Sequence, residues 1–270
     1  MDPMRDTQAI FRLALDALAR PGRVHQLPVA ARDAPGNPWA AALLLTLLDH
    51  ETSLWVAPGA GAAETEEFLR QRTAARQAPV EAADFVLADA GDGKASPLAG
   101  GAGAGDGESR SPTGAAGVGD GESDRLDGLP GVLCRGTLAY PDGAATLVVA
   151  VPLIDQESIN QDLIEQERGA GGLSLILSGP GVPPPIDGSA EGGRTLWVRG
   201  LSAPFFASRE EAVRDYPTGV DLFLVDSAGR IAGLPRSTAV QIGGFTGASS
   251  EGHGVHEGHT GQREEHASGI

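Results

Sequence analysis

The stretch from Tyr216 to Pro235 constrains this chain more than any other. Pro217-Thr218-Gly219 is a turn signal, Leu222-Phe223-Leu224-Val225 is an apolar run, and Asp226-Ser227-Ala228-Gly229 is a second turn. Arg230 to Leu234 returns as another strand, so the segment predicts a β-hairpin. Pro235 has no N–H to donate and therefore ends that strand or marks a sheet edge.

Upstream, strands and helices alternate. Phe11, Leu15 and Leu18 recur at helical spacing behind a cap at Asp6 or Thr7, and Arg20-Pro21-Gly22 stops that helix. Asn37-Pro38 opens a second helix running to about Asp49, apolar nearly all round and so buried on more than one side. Residues 64–76 form a third, acidic at its start (Glu64, Glu66, Glu67) and basic at its end (Arg70, Arg72, Arg76). Strands are predicted at Ser53 to Ala57, Phe85 to Leu87, Thr146 to Val151, Leu173 to Leu177 and, more weakly, Leu196 to Val198. The expectation is one α/β domain over residues 1–242, a single mixed sheet covered by helices.

Two segments break that pattern. From about 91 to 127 the chain is rich in Gly, Ala, Ser and Asp, and Gly-Asp-Gly-Glu-Ser occurs at 105–109 and again at 119–123. Such a segment buries too little apolar surface to offset its ordering entropy, so it reads as a disordered insertion. Its Asp106 falls one residue late for a Gly-Gly-x-Gly-x-Asp calcium repeat. Residues 243–270 read as a disordered tail holding His253, His256, His259 and His266, with no apolar frame to fix a metal site.

Composition excludes several functions. A formal net charge of −16 argues against a nucleic-acid-binding surface and against docking on anionic membranes. The lone Cys134 forms no internal disulfide and no cysteine-rich metal site, and beside Val132 and Leu133 it reads as a buried small hydrophobe. No apolar run reaches membrane-spanning length and no signal-peptide pattern opens the chain, so the expected location is cytoplasmic.

Phosphate-binding signatures are weak. Gly93-Lys94 lacks Walker spacing, and Ser178-Gly179-Pro180-Gly181, although it follows a strand, leads into Pro183-Pro184-Pro185 and reads as a tight turn. Arg20 and Arg236 are the candidate substrate-binding residues, as forked donors to phosphate, and Arg135 is expected to pair with a carboxylate. Asp49 and Asp221 are conceivable magnesium ligands, though Asp221 is equally a turn-to-strand residue. The core histidines His25 and His50 stand beside no nucleophile motif, so no catalytic residue is assigned.

A set of ordered blocks carries a family likeness. It begins with Phe11-Arg12-x-x-Leu15-x-Ala17-x-x-x-Pro21-Gly22 and Leu44-Leu45-Thr46-Leu47-Leu48-Asp49-x-x-Thr52-x-x-Trp55. It continues with Ala83-Asp84-Phe85, then Arg135-Gly136-Thr137 ahead of Pro141-x-Gly143-Ala144-Ala145-Thr146-Leu147. Leu175-x-Leu177-Ser178-Gly179-Pro180-Gly181-Val182 and the terminal hairpin complete it. Over roughly residues 8–242 this order resembles the PhnH family, one component of the carbon–phosphorus lyase core complex. The resemblance implies a fold like that of pyridoxal-phosphate-dependent transferases, without the cofactor. The residues agree: the only lysine, Lys94, lies in the insertion, and a Schiff base needs a lysine.

The resemblance also implies a homodimer when isolated, and assembly with the other core components, of the G, I and J types. That complex transfers the ribose-triphosphate portion of MgATP to an alkylphosphonate and releases adenine. Within it, the chain contributes to the site or serves as a noncatalytic scaffold. A stand-alone phosphate-ester enzyme is the third possibility. The apolar second helix and the hairpin edge are the surfaces expected to support the dimer.

Overall fold

The computed structural model describes residues 5–91, 126–156, 172–183 and 193–243. Its first part contains α1 (Arg5–Ala19), β1 (His25–Gln26), α2 (Pro38–Leu47), β2 (Ser53–Val56), α3 (Ala62–Thr73), β3 (Arg76–Gln77) and β4 (Phe85–Asp89). Then come α4 (Leu129–Val132), β5 (Thr146–Val151), β6 (Leu153–Gln156), β7 (Gly172–Ser178) and β8 (Arg194–Arg199). Last are α5 (Ala203–Val213), β9 (Asp221–Asp226), β10 (Arg230–Leu234) and β11 (Ala239–Ile242).

The unbroken apolar run Leu147 to Val151 is what a strand covered on both faces requires. β5 indeed lies inside a seven-stranded mixed sheet, ordered β1-β10-β9-β5-β4-β2-β3. Neighbours from β9 to β3 run parallel, while β10 and β1 are antiparallel additions at one side. Period-two alternation splits the strands between two cores. Leu147, Val149, Val151, Leu222 and Leu224 enter one cluster; Val148, Ala150, Phe223 and Val225 enter the other.

The second of these clusters is filled by α1, α2 and α3 through residues such as Ile10, Leu43, Leu44 and Leu69. Asn37 starts α2 as expected: its side chain accepts from the N–H of Trp39 at 2.9 Å and of Ala40 at 3.0 Å. α1 sits directly on β10. A Cβ on Gly233 would stand 2.7 Å from the Ala17 carbonyl carbon, so the strand can approach the helix backbone only through glycine.

The first cluster is closed by α4, α5 and a second sheet, which corrects the single-sheet expectation. β11-β7-β8-β6 is a separate four-stranded antiparallel sheet, and Ile154, Leu175, Leu177, Leu196 and Val198 turn into the core it shares with the large sheet. Strands 173–177 and 196–198 therefore exist but do not join β5. The mixed α/β architecture holds; its layers are helices, mixed sheet, and antiparallel sheet with helices.

Other readings shift in detail. The third helix ends at Thr73 with Ala74 in the left-handed region (φ 59°), and Arg76 begins a strand. β10 is no edge, because His25 and Gln26 pair with Ile231 and Arg230. α2 is interior to the protomer: Ala40 to Leu44 are buried, and Trp39 covers the Gly229 turn. The insertion's C-terminal boundary moves earlier, since Leu126 is 5% exposed and belongs to the core. Residues 92–125 (including Lys94) and the tail from 244 onward lie outside the described residues. No helix among the described residues is long and apolar enough to cross a membrane.

Candidate functional site

The glycine turn after β7 connects the two arginine segments singled out in the sequence. A Cβ on Gly179 would lie 2.7 Å from the Ser237 carbonyl oxygen, and one on Gly181 would lie 2.2 Å from that of Ala19. Both glycines have positive φ, 127° and 81°. The turn is thus wedged between the end of α1 and the loop after β10, as a structural turn would be.

Arg236 stands on that loop and is held tightly. Its Nη2 lies 2.6 Å from Asp221 Oδ2, its Nε 3.3 Å from Oδ1, its backbone N–H donates to Oδ1 at 2.8 Å, and Nη1 donates to the Pro141 carbonyl. Asp221 is therefore a counter-ion. Asp49 likewise caps its own turn, accepting from the N–H groups of Glu51 and Thr52. Arg135 points at backbone rather than at a carboxylate, donating to the Gly131 and Glu211 carbonyls at 3.3 and 3.4 Å.

A cleft of about 500 Å³ opens beside Arg236, between the end of α5 (Glu210, Val213), Tyr216 and the start of β11 (Thr238, Ala239). That volume falls in the range of small-molecule sites. Thr238 is 1% exposed and its Oγ1 has no hydrogen-bond partner among the described residues. The loop is anchored from below by Arg209, fully buried, whose guanidinium donates to the carbonyls of Thr238 (2.6 Å), Pro235 (2.6 Å) and Leu234 (3.3 Å) and to Glu210. Burial pushes Arg209 below its ordinary pKa, and the carboxylates of Glu210 and Asp221 oppose that push. Sequence reading missed Arg209. Its signal was spacing: it lies one helical turn after Phe205 and so on the buried face of α5.

Arg20 belongs to a different grouping. It pairs with Asp16 one turn back, and Asp16 Oδ2 also stands 3.1 Å from Nε2 of the partly buried His25. Arg23 and Arg194 complete this cationic group around Gly22. Burial, then Arg23, Arg20 and Arg194, push the His25 imidazolium down from its ordinary range. Arg20 and Arg236 thus answer to separate carboxylates. His50, expected in the core, is exposed, and Cys134 is half-buried, with its thiol donating to the Gly143 carbonyl at 3.2 Å.

In open α/β sheets, ligands favour the crevice at the carboxyl ends of parallel strands where the chain reverses its direction of winding. Here that point lies between β2 and β4, beside Asn37, Gly59, Thr65 and Asp89. Its cavity is about 40 Å³, room for a few waters. No group of three or more histidine, cysteine or carboxylate side chains suited to a metal exists among the described residues.

The family blocks themselves prove to be clamps and turns. Asp84 Oδ2 accepts from the Ser53 N–H (2.8 Å) and hydroxyl (2.6 Å), tying β4 to β2, and the Arg135 carbonyl accepts from the Gly219 N–H at 2.8 Å. Comparison with known proteins reaches the same family as the blocks. The α-D-ribose 1-methylphosphonate 5-triphosphate synthase subunit PhnH of Rhizobium meliloti (strain 1021) is 26% identical over 243 residues, covering 89% of this chain and 92% of that protein. HtxG of Stutzerimonas stutzeri, whose name assigns it to the C-P lyase subunits, is 27% identical over 237 residues, covering 88% of this chain and 87% of its own length. With the model of the bacterial phosphonate metabolism protein family PhnH matching residues 1–118 and 123–241, the chain belongs to the PhnH family.

Proposed function

We propose that the chain is a subunit of a carbon–phosphorus lyase assembly in phosphonate degradation, needed for transfer of the ribose-triphosphate portion of MgATP to an alkylphosphonate with release of adenine. The observation that carries this reading is the extent of the family match, which runs over residues 1–118 and 123–241 and so reaches both sheets. Components of the G, I and J types are the partners, and MgATP is the substrate of the assembly. Pyridoxal phosphate is not among its ligands in this reading, because a Schiff base needs a lysine and the single lysine is Lys94, in the insertion.

Reconstituting the assembly from purified subunits, with and without this chain, tests the proposal. Adenine release from MgATP and methylphosphonate is expected only when the chain is present. An unchanged rate in its absence overturns the proposal.

A scaffold role within the same complex is the second reading. The commitment of Arg236 to Asp221 and of Arg20 to Asp16 favours it, because both candidate phosphate donors already hold carboxylates. Assembly with Arg20→Ala or Arg236→Ala separates the two. Lost adenine release in an intact complex supports a site, whereas lost assembly supports a scaffold.

A further inference from the structure

Three arginines gather around one glycine turn, and two of them have no carboxylate to answer them among the described residues. The Arg23 N–H donates to the Arg20 carbonyl at 3.0 Å, closing the turn that ends α1. Arg194, the first residue of β8, lies along it: a Cβ on Gly22 would stand 3.2 Å from Arg194 Cδ. The turn is pinned from two more sides. Gln156 Nε2 donates to the Gly22 carbonyl at 3.1 Å, and the Gly22 N–H donates to the Gly233 carbonyl at 3.3 Å. His25 follows two residues after Arg23, its side chain 10% exposed.

One carboxylate, Asp16, serves this whole group among the described residues, and it is already shared by Arg20 and His25. Arg23 is exposed and without a side-chain partner among the described residues. Arg194 Nη1 is shielded from solvent and also has none there. Burial, Arg23 and Arg20 all push the Arg194 guanidinium down. The chain has 36 carboxylates and a net charge of −16, so this concentration of uncompensated cations is a local exception. Like charges held this close repel unless an anion joins them.

We propose that Arg23 and Arg194, on either side of the Gly22 turn, form a binding site for a phosphate-ester oxyanion of the triphosphate class. Guanidinium groups present paired N–H donors that match two phosphate oxygens at once, and two such forks suit a chain of phosphoryl groups better than a single one. The buried Arg194 nitrogen gains the acceptor it lacks. The choice of a triphosphate rests on the function proposed above; the presence of an oxyanion site rests on the geometry alone.

The test is calorimetric titration of the full chain with inorganic tripolyphosphate at low ionic strength, with MgATP and inorganic phosphate as further titrants. Saturable binding of one tripolyphosphate per chain is expected. Arg23→Glu, at an exposed position, is expected to weaken it by about tenfold or more, and Arg194→Ala similarly. Arg194→Lys is expected to fall between, because it keeps the charge and loses the fork. Arg72→Ala, which removes a cation stacked on Phe68, is the control and is expected to change little.

MgATP binding at the same turn would identify the phosphoryl chain of a nucleotide as the source, and binding of tripolyphosphate alone a free polyphosphate. Absence of saturable binding, or equal weakening by Arg72→Ala and Arg23→Glu, overturns the proposal. So does a result in which Arg23→Glu abolishes capture of the partner proteins and leaves tripolyphosphate binding intact, since the turn would then be a protein-docking patch. The titration uses this chain alone, so its outcome is independent of whether adenine release requires the chain.

Discussion

Arg236 and Asp221 neutralise each other across the foot of the β9–β10 hairpin, with Nη2 2.6 Å from Oδ2 and the Arg236 backbone N–H 2.8 Å from Oδ1. Each looks available for a ligand when considered alone, one for phosphate and one for magnesium. Together they bind the loop after β10 to the start of β9. Arg236→Ala leaves a partly buried carboxylate with only backbone donors. The expected loss of stability is about 2 kcal/mol, read from urea denaturation. Adding Asp221→Asn should recover part of that loss, and strict additivity of the two substitutions would show that the pair is not coupled.

The His25 imidazole makes stability pH-dependent in a defined direction. Burial and the neighbouring Arg23, Arg20 and Arg194 lower its pKa in the folded state. Below the ordinary value of about 6.5, the unfolded chain therefore binds a proton that the folded chain does not. The contribution is complete above that pH and declines as pH falls toward the folded value. Urea midpoints measured between about pH 7.5 and 5.5 should fall more steeply for the native chain than for His25→Gln. Parallel profiles would mean that His25 titrates alike in both states. Tripolyphosphate at the arginine turn should flatten the native profile, because an anion there favours the imidazolium.

The low-complexity segment is expected to be dispensable up to its last residues. Replacing 92–125 with a short Gly-Ser linker should leave the melting temperature nearly unchanged, because loop-closure entropy depends weakly on length. Leu126 and Asp127 must remain. Leu126 is buried in the core shared by the two sheets, and Asp127 accepts a hydrogen bond from Ser202, the cap of α5. Leu126→Ala should cost about 2–3 kcal/mol. A large fall in melting temperature for the 92–125 replacement would show that this segment packs on the core.

Apolar self-association is expected to run through α1 rather than α2. Phe11 and Leu15, one helical turn apart, are 45% and 52% exposed, whereas the apolar residues of α2 are spent inside the protomer. Sedimentation of the isolated chain should show a dimer in both low and high salt, and Phe11→Glu with Leu15→Glu should yield a monomer without loss of secondary structure. A dimer that survives both substitutions, or one that dissociates as salt rises, places the interface elsewhere.

Local chemistry made much of the fold legible in advance. The Asn37-Pro38 start of α2, the β5 run and the β9–β10 hairpin each depend on neighbouring residues alone: a capping side chain, consecutive apolar positions, a turn glycine at φ 83°. α5 escaped notice because Arg209 interrupts its buried face, where a cation is tolerated only with the carbonyls of Leu234, Pro235 and Thr238 gathered around it. Family membership was legible for the same local reason, since its blocks are turns and clamps such as Asp84 on Ser53.

Partnership was not legible. Whether Leu175 and Leu196 share a sheet with Val149 or face it from another layer depends on long-range pairing, which strand periodicity does not encode. The same holds for charge. Arg20, Arg23, Arg194 and Arg236 are equivalent cations in a linear chain; among the described residues, folding brings a carboxylate to Arg20 and Arg236 and none to Arg23 or Arg194. The sequence determined which side chains carry charge and which segments could become helix or strand. Only the tertiary structure decided which charges are cancelled, because ion pairing falls off over a few ångströms and those distances exist only once the layers are packed.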